Sequence, residues 1–397
     1  MNNSRRKALR IAAGLGVGAL AYPLTQVHAQ DKSDLVIGAS IPLSGVFAAT
    51  AIGYHTAMQD YAKMLNEQGG INGRKLRYVA EDTGYKVDVS VAVYNKITAR
   101  EKVNFYYGDS TGFAKTIAPE VARNGNVLMS GTSFATELND PKKFPNYFMA
   151  GPDYSEMVKI LLRHIAKETP GGKVALVYAD NEFGRDPIEA SLAYAKQLGL
   201  NIVQQIPTPL GAVDVSTEVL KLRRANPDYT IFHGYVLAPI PEFISQAKGL
   251  GLKTKFMGTF WSMDLNLVEK MGPEADGFMG VMPYRYYFDK EGKSPTMEKI
   301  RSLRPEYQQV AYTQGFLTAM LFTEAAKRTM AAGKPLTGAN MKAALNSIKN
   351  FDTGGIMGIP ITIQGNSIPV GRVYRYDAKN KTMVAASDWI DVSSASK

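Results

Sequence analysis

Leu35-Val36-Ile37-Gly38-Ala39-Ser40 opens the stretch that decides the fold. It is a short apolar run ending in small residues, the pattern of a buried strand. From Ala51 to Leu65 the spacing changes, and Met58, Tyr61, Ala62 and Leu65 fall on one helical face. The turn Gly69-Gly70-Ile71-Asn72-Gly73 then leads into a second strand, Lys75 to Ala80. Helix Val87 to Ala99, strand Val103 to Tyr107, helix Phe113 to Arg123 and strand Val127 to Ser130 continue the alternation. Strands and helices taking turns predict a parallel sheet covered by helices.

A second series begins after Gly151-Pro152. Helix Tyr154 to Lys167 precedes strand Val174 to Tyr178, and the unit repeats through helix Pro187 to Leu198, strand Ile202 to Ile206, helix Val215 to Arg224 and strand Tyr229 to Phe232. Helix Pro241 to Leu250 and strand Lys255 to Gly258 close it. The chain therefore reads as α/β with two doubly wound lobes. Helices Gln308 to Met330 and Gly338 to Ile348, with strand signals at Arg372 to Tyr376 and Met383 to Ala386, are too few for a third domain and complete the first two. A length of 397 residues accords with this, at roughly 100 to 200 residues per domain.

Composition removes several function classes. With 45% hydrophobic and 21% charged residues the chain is neither disordered nor fibrous. The absence of cysteine excludes disulfides, thiolate metal sites and thiol catalysis. The formal charge of +10 would suggest nucleic acid, but Arg5, Arg6, Lys7 and Arg10 lie in a leader and the remainder is dispersed. That leader, residues 1–29, has a basic start, an apolar run from Ile11 to Leu24 broken by glycines and Pro23, and Val27-His28-Ala29 at its end. It reads as a signal peptide cleaved after Ala29, and Ser4-Arg5-Arg6-Lys7 gives it a twin-arginine character.

In an open α/β sheet the ligand sits beyond the carboxyl ends of the strands. Three such loops carry small hydroxylated residues: Pro42-Leu43-Ser44-Gly45, Gly108-Asp109-Ser110-Thr111-Gly112 and Ser130-Gly131-Thr132-Ser133-Phe134. Singly each is an N-cap. Together on one sheet edge they suit a carboxylate, held by free N–H groups and hydroxyls. The second loop also matches Gly-x-Ser-x-Gly, the nucleophile elbow of a serine hydrolase with Ser110 as nucleophile. Such an enzyme needs a late histidine as base, yet after the leader there are only His55, His164 and His233. These histidines are isolated, so no metal site is expected, and no phosphate-cradling Gly-x-x-x-x-Gly-Lys motif occurs.

Ile37-Gly38 through Pro42-Leu43-Ser44-Gly45, Gly69 to Arg74, Glu81-Asp82-Thr83, Gly108 to Gly112, Ser130 to Ser133, Tyr178 to Gly184, Asn226-Pro227-Asp228-Tyr229 and Ala247-Lys248-Gly249-Leu250-Gly251 follow one another in order. This series resembles the periplasmic solute-binding proteins of the branched-chain amino acid ABC transporter family over nearly the whole chain after the leader. The resemblance implies a type I periplasmic binding fold: two Rossmann-like lobes joined by three crossovers, with ligand in the interlobe cleft. The N-terminal lobe would be residues 30–151 plus 280–352, and the C-terminal lobe 152–279 plus 353–397. It further implies that a hydroxyl of Ser110-Thr111, with backbone and hydroxyl of the Thr132-Ser133-Phe134 loop, holds a ligand carboxylate; Ser44 of the first loop and Tyr85 are further candidate ligand contacts. Phe134 falls where relatives often carry Thr, and Phe183 and Tyr235 match aromatics of the second lobe.

Relatives that bind α-amino acids place an acid after the strand matching Lys255 to Gly258, where this chain reads Thr259-Phe260-Trp261-Ser262-Met263-Asp264. Phe260 occupies the acid's position, leaving Asp264 as a substitute. Phe113, Phe134, Tyr154, Phe183, Tyr235, Phe260 and Trp261 would make the cleft aromatic, favouring an aromatic or aliphatic carboxylate over leucine, isoleucine or valine. The implied function is non-enzymatic: capture of a small carboxylate or amino acid in the periplasm and delivery to an ABC permease, without cofactor or nucleic acid, by a monomer. The competing readings are the Ser110 hydrolase and a sensory receptor of the same fold.

Overall fold

The computed structural model describes residues 33–393; the leader and its cleavage after Ala29 lie outside the described residues. The first half builds β1 (Leu35–Ile41), α1 (Ala48–Glu67), β2 (Leu76–Asp82), α2 (Val87–Arg100), β3 (Phe105–Gly108), α3 (Thr111–Asn124) and β4 (Leu128–Gly131). These strands form a parallel sheet in the order β2-β1-β3-β4. Every residue of β1 and β3 is buried, which explains why their sequences are continuously apolar or small instead of alternating. A Cβ on Gly131 would stand 2.3 Å from the carbonyl of Gly108, so glycine there allows β3 and β4 to end close together.

The second series builds α4 (Tyr154–Glu168), β5 (Lys173–Ala179), α5 (Glu182–Arg185), α6 (Ile188–Gln197), β6 (Asn201–Thr208), α7 (Ser216–Ala225), β7 (Tyr229–His233), α8 (Ile240–Gly249), β8 (Lys255–Gly258), α9 (Leu265–Lys270) and β9 (Met279–Met282). Then follow α10 (Pro295–Leu303), α11 (Val310–Ala331), α12 (Gly338–Asn346), β10 (Val370–Asp377) and β11 (Thr382–Asp391). The second sheet has the order β11-β10-β9-β8-β7-β5-β6. It is parallel from β6 to β9 and then antiparallel, because β10 and β11 form a hairpin on the β9 edge. Helices α11 and α12 return to the first sheet: α11 packs along α1, and both touch β4.

Strand β9 pairs with β8 and β10, so the chain leaves the second sheet after Met282, a little later than residue 280. The segments joining the lobes run side by side. Met149 N–H donates to Asn366 O at 2.6 Å, Ile368 N–H to Gly151 O at 3.0 Å, and the Tyr284 hydroxyl to Ala150 O at 2.6 Å. Asp153 and Glu156 form a reciprocal cap at the start of α4, and the Glu156 carboxylate also receives the Ser367 hydroxyl at 3.1 Å. Burial, followed by the charge of Asp153, pushes the Glu156 carboxyl well up.

Candidate functional site

The carboxyl ends of the two sheets face each other across a narrow gap with a cavity volume of about 30 Å³. From the first lobe Phe47, Thr50, Tyr54, Tyr85, Thr111 and Thr132 line it, together with Asp109. Tyr154, Phe183, Val236 and Trp261 complete the lining.

Helix α3 begins at Thr111, directly behind its N-cap Ser110, whose Oγ accepts the N–H of Phe113 at 3.2 Å. The positive end of a 14-residue helix therefore points at this loop. Ser133 Oγ donates to Thr111 Oγ1 at 3.2 Å, and the Tyr154 hydroxyl lies 3.4 Å from Thr111 Oγ1. The loops after β3 and β4 are thus tied into one polar wall. Tyr85 sits at φ +64°, a left-handed conformation that costs a non-glycine residue roughly 1 to 3 kcal/mol. Its ring meets Phe47 edge-on at 4.3 Å, so the strained turn holds two aromatics at the gap.

Trp261 makes the opposite wall. Its ring lies 4.1 Å from Phe260 and 6.2 Å from Phe134, which support it from behind. Tyr154, Phe183 and His233 form a second aromatic group with centroids about 5 Å apart. His233 is fully enclosed between Thr259 at 2.9 Å and the Phe183 carbonyl at 3.0 Å, and burial pushes its pKa down to about 3.

Of the residues expected in the cleft, Tyr85, Thr111, Thr132, Tyr154, Phe183 and Trp261 line the gap. The others stand apart. Ser44 is exposed and its N–H donates to Asp82. Ser110 and Ser133 are buried behind Thr111, Phe113 packs against Tyr106, and Phe134 and Phe260 have no exposed surface. Tyr235 turns inward to donate to Thr208 O at 3.3 Å, leaving its neighbour Val236 at the gap. Asp264 is not a substitute acid in the gap. It caps α9 and accepts the Val310 N–H at 2.9 Å and the Tyr307 hydroxyl at 3.1 Å, joining the second lobe to the start of α11.

Asp109 is the residue that sequence reasoning passed over, although it stands inside the quoted Gly108 to Gly112 loop. The small hydroxylated residues around it point to an anion, and nothing in the sequence marks the carboxylate itself as a ligand contact. Phe47, Thr50 and Tyr54 had no motif to mark them; they reach the gap because the first turns of α1 run past the β1 loop.

The lobes also meet beside the gap. Lys115 of α3 pairs with Glu182 of α5 at 3.0 Å and lies 3.8 Å from the buried Asp186, which itself accepts the Thr136 N–H at 2.8 Å. No described helix is long and apolar enough to cross a membrane, and no group of described residues could hold a metal ion.

The family model for the periplasmic binding proteins matches residues 34–382. The leucine-specific-binding protein of Salmonella typhimurium is 27% identical over 293 residues, covering 73% of this chain and 76% of that protein. A branched-chain amino acid ABC transporter protein from Thermus thermophilus with bound valine superposes with a TM-score of 0.81 at 23% identity, covering 91% of this chain and 97% of that one. A solute-binding protein of an ABC transporter from Rhodopseudomonas palustris, in complex with 3,4-dihydroxybenzoic acid, gives 0.75 at 20% identity, covering 91% and 98%. With two α/β lobes, a polar wall facing an aromatic one, and a family match across almost all of its described length, this chain belongs to the periplasmic binding protein family.

Proposed function

We propose that this protein captures a small carboxylated solute outside the inner membrane and hands it to an ABC permease, acting as a monomer exported by the twin-arginine route and cleaved after Ala29. The observation that carries the reading is the wall formed by Thr111 and Thr132 at the positive end of α3, facing the aromatic wall of Trp261, Phe183 and Tyr154. A helix N-terminus with adjoining hydroxyls accepts a carboxylate, and the aromatic faces accept an apolar body. Valine and 3,4-dihydroxybenzoic acid, the ligands of two similar structures, share a carboxylate and differ in the rest. The hydrolase reading is disfavoured by the Ser110 hydroxyl, which caps α3, and by the three described histidines, none of which is among its described partners. Native mass spectrometry of protein freshly purified from the periplasm tests the proposal. A co-purified mass identified as a small carboxylic or amino acid is expected; a bound sugar or metal complex would defeat it.

A further inference from the structure

Among the residues lining the gap, Asp109 alone carries a formal charge. It is 2% exposed, and its described hydrogen-bond partners are the hydroxyls of Thr83 and Ser90, the latter at 2.8 Å, both on Oδ2. Oδ1 is buried and has no hydrogen-bond partner. A buried carboxylate with one unpaired oxygen and no cation beside it is costly, because desolvation is not repaid by an opposite charge. Consistently, burial pushes the Asp109 carboxyl up, against the opposing effect of the Thr83 and Ser90 hydroxyls. The phenols of Tyr54 and Tyr85, which also line the gap, feel its charge.

The charge balance of the gap decides what it can hold. A plain carboxylate brought against Thr111 and Thr132 would place a second negative charge beside Asp109 with no compensating cation among the lining residues, an arrangement in which like charges disfavour ionisation. A ligand carrying an ammonium group next to its carboxylate would neutralise both. The ammonium would pair with the Asp109 carboxylate and lie beside Tyr54, Tyr85 and Phe47, which also line the gap and whose rings attract a cation.

The structure assigns Asp109 as the amine-binding residue of the site: the ligand is a zwitterion, and its counter-charge is supplied by the first lobe at the end of β3, not by the loop after β8. This rests on the proposed capture of a carboxylated solute and narrows it. It also removes the ground for expecting amine-free carboxylates to be preferred, since Phe260 is not at the gap and an acid is.

The test is isothermal titration calorimetry at pH 7.5 with two matched pairs, L-leucine against 4-methylpentanoate and L-phenylalanine against 3-phenylpropanoate, on the wild type and Asp109→Asn. The wild type is expected to bind at least one amino acid roughly tenfold or more tighter than its amine-free partner, the scale of one charge-assisted hydrogen bond, and Asp109→Asn to lose that preference. Parity or an amine-free preference in the wild type, or an intact preference in the variant, overturns the assignment while leaving carboxylate capture standing. Absence of binding by both members of both pairs overturns the two together. Should the variant not fold, the wild type in two buffers of different ionisation enthalpy decides. Amino acid binding without proton uptake is expected, whereas an amine-free carboxylate bound tighter with uptake of one proton means that Asp109 is a protonated donor, and overturns the assignment.

Discussion

Replacing Asp264 by Asn separates a latch between the lobes from a contact with ligand. The Asp264 carboxylate receives the Val310 N–H at 2.9 Å and the Tyr307 hydroxyl at 3.1 Å, while capping its own helix through Asn266 N–H at 3.0 Å. Val310 is the first residue of α11, so the negative charge also faces the positive end of a 22-residue helix. Asparagine keeps one acceptor oxygen and loses the charge, removing about one charge-assisted hydrogen bond, roughly 1.5 to 3 kcal/mol. If the unliganded protein is mainly open, that loss falls on the closed, ligand-holding state and appears in full as a fall in affinity, roughly 10- to 150-fold. Calorimetric titration of L-leucine and of 4-methylpentanoate should show the same factor for both ligands, because the latch does not touch either. A loss confined to the amine-bearing ligand would refute this reasoning and place Asp264 in contact with the ligand. Unchanged affinity would show that the contact with α11 plays no part in closure.

Thr111→Val should weaken binding of either carboxylate by roughly tenfold or more, as a hydroxyl facing a charged group is lost, with the unfolding midpoint nearly unchanged; wild-type affinity would remove Thr111 from the site. Trp261→Ala removes an aromatic wall and should cost roughly 2 kcal/mol or more in affinity, read by the same titration, since large rings at desolvated contacts dominate binding. His233 is neutral when folded, with its pKa at about 3 against 6.5 in an unfolded chain, so acid favours unfolding as pH falls below 6.5. Between pH 7.5 and 4.5 this contributes about 3 kcal/mol of lost stability, and the gap in unfolding free energy between wild type and His233→Gln should narrow by that amount in urea titrations at the two pH values. Replacing both Arg5 and Arg6 by Lys should leave the precursor in the cytoplasm on fractionation; undiminished periplasmic yield would indicate general secretion instead.

The fold was legible because its signal is local. The apolar runs of β1 and β3, the helical spacing of α1 and the turn from Gly69 to Gly73 each act over a few residues, and their alternation leaves a parallel sheet as the arrangement that buries them. The sequence also marked the loops at which a site would lie, since strand order and ligand position are linked in open sheets. What it could not decide was which side chain of a loop faces the gap. Tyr235 and Val236 are adjacent, yet the tyrosine is turned into the second lobe and the valine outward. Phe260 and Trp261 share one turn, but only the tryptophan reaches the gap while the phenylalanine supports it. Asp264, expected as a substitute acid, is consumed by α11, 46 residues further on, while Asp109, to which counting along the chain assigns no role, is left with an unpaired oxygen. These outcomes depend on contacts between residues far apart in the chain. Packing of one lobe against the other, and the hydrogen-bond partners within reach of each buried polar group, decided them.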